Sequence, residues 1–140
     1  MYKCKVTSPH IEYLGYNEIF VFGSNLAGIH GKCAARLAHK KFGAIRGNGV
    51  GIQGKSYAIP TKNEQLKPLS LDTISWYVNG FIEYAVNHDN LEFLVTRIGC
   101  GLAGYKDSDI APLFRDCVNL ENVSLPQEWL NILPQYDNCV

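Results

Sequence analysis

Eleven of the thirteen glycines in this chain fall into three tight groups, and each group adjoins a short apolar run. The groups are Gly23, Gly28 and Gly31; then Gly43, Gly47, Gly49, Gly51 and Gly54; then Gly99, Gly101 and Gly104. Glycine lets the backbone turn sharply and approach another backbone or a ligand with no Cβ in the way. Strands closed by such loops are therefore short, and their ends are open to small anions. The run EIFVF at 18–22 reads as a strand closed by Gly23, because β-branched and aromatic residues suit a buried pleat. SYAIP at 56–60 and LEFLVTRI at 91–98 read as two more, the latter running directly into the third glycine group.

Helical spacing fills the intervals. Ala34, Ala35, Leu37, Ala38 and Phe42 predict a helix over 32–42, stopped by Gly43. Ser70 is placed to cap a longer one with Leu71, Ile74, Val78, Phe81, Ile82 and Ala85 on one face. Asp107 or Asp109 can cap a third carrying Ile110, Leu113, Phe114 and Cys117, with Pro112 in its first turns. Residues 122–125 are expected as a last edge strand and 2–6 as another. Strands alternating with helices predict a largely parallel sheet covered on both faces, the α/β class. Ligands in such sheets bind beyond the carboxyl ends of the strands. The first and third glycine groups sit there.

Composition narrows the function classes. The 140 residues, 46% hydrophobic and 19% charged, suit one globular domain over 1–140 with its own core. Thirteen Lys and Arg balance thirteen Asp and Glu, so the whole molecule has no net field with which to hold nucleic acid broadly or an anionic membrane. The five cysteines, Cys4, Cys33, Cys100, Cys117 and Cys139, have neither disulfide-framework nor zinc spacing. No apolar run approaches the ~20 residues of a membrane span. The expectation is a soluble, reduced, cytoplasmic protein without a metal or resident cofactor.

The segment Gly99-Cys100-Gly101-Leu102-Ala103-Gly104 is a literal GxGxxG after a strand and before a helix. Its backbone N–H groups can form a phosphate nest. A full dinucleotide fingerprint is not met, because Glu121 precedes the next candidate strand instead of ending it. The second match, at 49–54, leads into a strand and reads as chance.

Taken together, VFGSNLAGIHGKCAARLAHKKFGA (21–44) and VTRIGCGLAGYKDSDIAPLF (95–114) resemble the two ligand-binding loops of the macro domain family. The order of elements agrees over roughly residues 17–126. That resemblance implies a three-layer α/β/α sandwich with a mixed central sheet. It implies binding of ADP-ribose or a close derivative, free or on ADP-ribosylated macromolecules. It also implies hydrolysis at the distal ribose, of the ADP-ribose 1''-phosphate phosphatase or ADP-ribosyl hydrolase type, or else a non-catalytic reader or sequestering module. On this resemblance Asn25 holds the distal ribose, Gly99, Cys100, Gly101, Leu102, Ala103 and Gly104 hold the diphosphate, and Tyr105 packs against the distal ribose. Gly23, Ser24, Gly28 and Gly31 complete the first loop. The chain departs from the family in reading Gly28-Ile29-His30-Gly31 after the Asn, and in having no Asp before Asp72 to read the base. Glu12 and Glu18 are the acids available upstream.

Each candidate also has a plainer reading. Asn25 is a turn residue tolerant of left-handed geometry, or a ligand-facing amide. His30, inside the first loop, is the catalytic candidate beside Asn25, or a solvated loop histidine. Cys100 is a low-pKa nucleophile or a small side chain in a tight loop. Lys32 meets a phosphate or solvent, and Thr61 and Lys62 form a rim of the same cleft. His10, His39 and His88 read as surface residues, and Trp76 and Trp129 as packing.

Overall fold

A computed structural model describes residues 3–99 and 103–134, so Cys100, Gly101, Leu102 and Cys139 lie outside the described residues. Six strands form one sheet: β1 (Lys5–Thr7), β2 (Glu18–Asn25), β3 (Gly51–Gln53), β4 (Ser56–Lys62), β5 (Glu92–Val95) and β6 (Val123–Pro126). Their order across the sheet is β1-β6-β5-β2-β4-β3. All neighbours run parallel except β3 and β4, so the sheet is mixed. The helices are α1 (Cys33–Lys41), α2 (Leu71–Val86), α3 (Asp107–Ile110) and α4 (Gln127–Leu130).

Alternation along β2 sorts the core onto two faces. Ile19 and Val21 point to one, where α2 sets Ile74, Val78, Phe81 and Ala85, all fully buried, against the sheet. Phe114 and Trp129 join that cluster from the C-terminal segments, their rings 4.8 Å apart. Phe20 and Phe22 point to the other face and meet Ala38, Phe42 and Ala44 in and just after α1. Ser70 caps α2 as expected, its hydroxyl accepting the Thr73 N–H at 3.2 Å.

Several elements differ from the sequence reading. The third strand stops at Val95 instead of running to Ile98. The Ile98 N–H bonds the Thr96 carbonyl at 2.7 Å, a tight turn that draws the chain off the ladder. The expected helix after Asp107 is one α-turn followed by a 3-10 stretch, Ala111–Asn119. Pro112 has no N–H to continue the α ladder there. Neither Asp107 nor Asp109 is the N-cap residue; Lys106 is, and Asp109, three residues on, accepts its N–H at 3.0 Å. β6 is no edge: it lies between β5 and β1. β3 is an unexpected strand, joined to β4 by a two-residue Gly54-Lys55 turn, with Gly54 at φ +60° in the geometry such turns require. Trp76 is 71% exposed, so it is not a packing residue, whereas Trp129 is fully buried.

Candidate functional site

The carboxyl ends of β2, β4 and β5 finish side by side because the three strands are parallel. Gly23 of β2 has no side chain, and a Cβ there would lie 3.6 Å from the Gly99 amide nitrogen beyond β5. The first and third glycine groups are thus neighbours across the sheet. Together they open a cleft of about 410 Å³. Its wall is made by Gly23, Ser24 and Asn25 from β2, Thr61 and Lys62 from β4, residues 96–99 and Ala103, and the start of α1.

The floor of the first loop is held by the second glycine group. Gly28 sits at φ +70°, and a Cβ on it would come within 2.3 Å of the Gly47 carbonyl carbon. A Cβ on Gly49 would come within 1.9 Å of the Asn25 carbonyl oxygen. Backbone lies on backbone at both points, so no side chain fits. The Ser24 hydroxyl donates to the Gly49 carbonyl, and the Gly47 N–H to the Gly28 carbonyl at 2.9 Å. The 47–49 stretch is the clamp on this loop, and of the run at 49–54 Gly49 alone takes part.

Asn25 is 9% exposed and lines the cleft. Its amide is partly occupied: Nδ2 donates to the Ile29 carbonyl at 2.9 Å and Oδ1 accepts the Ile29 N–H at 3.0 Å. One donor and one acceptor position of the amide remain for another partner.

His30 is not on the cleft wall. It is 6% exposed, with Nε2 at 2.9 Å from the Ile45 carbonyl and 3.0 Å from that of Asn48. A ring nitrogen facing two carbonyls must carry the proton. The ring packs edge-on to Phe22 at 5.3 Å, and Nδ1 is buried with no partner among the described residues. Its environment corrects the solvated-loop reading. His30 pins the 45–48 segment.

Tyr105 is likewise turned away: its hydroxyl donates to the Leu69 carbonyl at 2.6 Å, its ring packs on the larger core, and it does not line the cleft. Gly31 and Ala103 line the cleft; Gly28 and Gly104 do not. Cys100, Gly101 and Leu102 fall outside the described residues.

The electrostatics favour an anion. Lys32 and Lys62 stand on the wall and make no ion pair among the described residues. α1 begins at the wall with no acidic residue in its first turn and no side chain capping its N–H groups, so its positive end faces the cleft. Arg97 also faces it but is held by Asp107, 2.6 Å away, whose other oxygen accepts the Trp129 indole N–H at 2.8 Å. Arg97 and Leu66 went unnoticed in the sequence. Arg97 is two residues before Gly99, and that position was the available signal.

A second cavity of about 470 Å³ adjoins the first and shares Cys33, Ala34, Thr96 and Arg97 with it. α1 packs on β2, and a single helix ~10 Å across covers about two of six strands that together span ~24 Å, which leaves this stretch of the sheet open. Phe20, Val95, Val6 and Pro126 form its apolar wall, with Thr7 and Glu128 as polar members. Among the described residues, no group of three His, Cys, Asp or Glu could hold a metal ion, and no helix is long and apolar enough to cross a membrane.

The mixed six-stranded sheet with helices on both faces matches the fold of a solved macrodomain. No protein-family model and no curated protein matches the sequence. Among solved structures, the chain is similar to the macrodomain of Mycobacterium tuberculosis DarG, with a TM-score of 0.62 and 15% identity over 88% of this chain and 98% of that one. It is similar also to a Bacteroides thetaiotaomicron protein of unknown function, with a TM-score of 0.62 and 17% identity over 90% of this chain and 98% of the other. At these identities the likeness is one of fold.

Proposed function

We propose that this chain binds ADP-ribose or a close derivative across the two adjoining cavities, as a reader or sequestering module. The diphosphate would lie against residues 99–104 and the amino end of α1, with Lys32 and Lys62 balancing its charge. Asn25 would orient the distal ribose through its remaining donor and acceptor. The base would enter the second, apolar cavity. There Thr7 has a buried hydroxyl with no partner among the described residues, and Glu128 offers an acceptor to an exocyclic amine.

One observation favours binding over turnover. Among the described residues the cleft wall carries no carboxylate and no imidazole, the side chains that most often serve as general acid or base. The hydrolytic reading keeps a water oriented by Asn25 as its proton carrier, with catalysis by positioning alone. His30, behind the loop, would serve either reading by holding the 45–48 segment in place.

The test is direct. Calorimetry with ADP-ribose should show one site per chain. Incubation with ADP-ribose 1''-phosphate, and with ADP-ribosylated protein, should release neither phosphate nor ADP-ribose. Release with saturable kinetics would restore the hydrolase reading, and absence of any binding heat would remove both.

A further inference from the structure

The zero net charge hides a segregation along the chain. Between residues 19 and 63 there is no Asp or Glu, while seven of the thirteen Lys and Arg lie there. Residues 64–140 hold eleven of the thirteen acids. None of the seven basic residues makes an ion pair among the described residues, where the salt bridges join Lys5 to Glu92 and Arg97 to Asp107 and Glu128. Arg36, Lys40 and Lys41 are exposed along α1, and Lys32 precedes it at the cleft. The positive field therefore runs from the cleft to the far end of α1, ~14 Å away.

At that far end the surface changes character. A shallow hollow of about 330 Å³ is bounded by Tyr13, Lys41 and Lys55, with Glu12 on its rim. The Tyr13 ring is 83% exposed, and Lys41 Nζ lies 5.7 Å from its centroid. Tyr16, in the same loop, is 96% exposed. Lys55 Nζ donates to the Gly15 carbonyl at 2.7 Å and to that of Leu14 at 3.3 Å, which ties the loop to the β3–β4 turn. Bare aromatic rings beside unpaired cations form a stacking platform next to a phosphate track, the combination that holds single-stranded nucleic acid. Glu12 argues for a base in the hollow, since its carboxylate would repel a phosphate placed there.

We propose that this face docks single-stranded nucleic acid, with Tyr13 and Tyr16 stacking on bases and Arg36, Lys40 and Lys41 contacting phosphates. The surface is independent of the ADP-ribose reading. With no net charge on the molecule to assist, binding is weak and falls steeply with salt.

Fluorescence anisotropy with a labelled oligothymidylate of about 20 nucleotides, in about 50 mM KCl, reads it. The pair Lys40→Glu/Lys41→Glu should weaken binding about tenfold or more. Tyr13→Ala/Tyr16→Ala should weaken it about fivefold or more, and the Phe versions should hold it. All these changes are at exposed positions away from the cleft, so ADP-ribose calorimetry should be the same in each. No anisotropy change at low salt overturns the proposal. So does a Tyr13→Ala/Tyr16→Ala chain that binds like wild type and is competed equally by heparin, since that describes a surface for any polyanion. Failure of ADP-ribose binding in the unaltered chain would remove the ligand reading and leave this one standing.

Discussion

The two faces of the sheet are built differently. On one, α2 and the C-terminal segments bury Phe81, Phe93, Phe114 and Trp129 in a single large cluster. On the other, α1 covers a patch of six buried residues, and the loops beyond it are held by glycine backbones pressed together. The thick face carries stability through apolar area. The thin face spends its few contacts on shaping the cleft and leaves the adjoining cavity uncovered. Damage to the first should therefore unfold the chain, and damage to the second should empty the site first.

The largest expected effect lies on the thick face. Trp129→Ala removes a fully buried ring packed on Phe114 and should cost ~3–5 kcal/mol in urea unfolding. A loss under about 1 kcal/mol would mean the two faces share the load. On the thin face, Gly49→Ala forces a methyl against the Asn25 carbonyl oxygen and should cost ~1–3 kcal/mol. Its diagnostic outcome is loss of ADP-ribose heat in a chain whose circular dichroism is still native. Wild-type affinity in that variant would break the link between clamp and site.

Asn25→Ala sharpens the same contrast. It deletes both bonds to Ile29 and the free amide positions, and should weaken ADP-ribose binding by ~1–3 kcal/mol. Unchanged calorimetric affinity would remove Asn25 from the ribose. The smallest effect is alkaline. Burial first, then the nearby Cys4 and Asp116, pushes the Cys117 thiol well above its ordinary range. A folded-state pKa raised in this way gives stability that is complete below the unfolded thiol's ~8.5 and declines as pH rises past it. Near pH 9.5 the decline should be ~1 kcal/mol, read as a falling urea midpoint. Cys117→Ala should flatten that slope, and an equally steep slope in the variant would place its cause elsewhere.

Much of the fold was legible because periodicity and caps are local. β2, α1, α2 and the Ser70 cap follow from residues adjacent in the chain. The misplaced features all depend on partners distant in sequence. Nothing in residues 122–125 says that β1 will pair outside them, and the i→i+2 turn at Thr96 is invisible in LEFLVTRI. The cleft's glycine neighbours could be anticipated from the ends of parallel strands. His30 could not be placed, because its orientation is decided by the Ile45 and Asn48 carbonyls, which the loop clamp delivers to it. The clamp itself was written in Gly47 and Gly49. A Gly-rich run reads alike whether it faces a phosphate or another stretch of main chain.

The outermost strands, β1 and β3, are three residues each. A strand so brief leaves only one or two unpaired main-chain groups along each margin, too few to template a neighbouring molecule. The architecture is thus blunted at both rims against side-by-side stacking into fibrils, even though β2 and β4 inside it run to eight and seven residues.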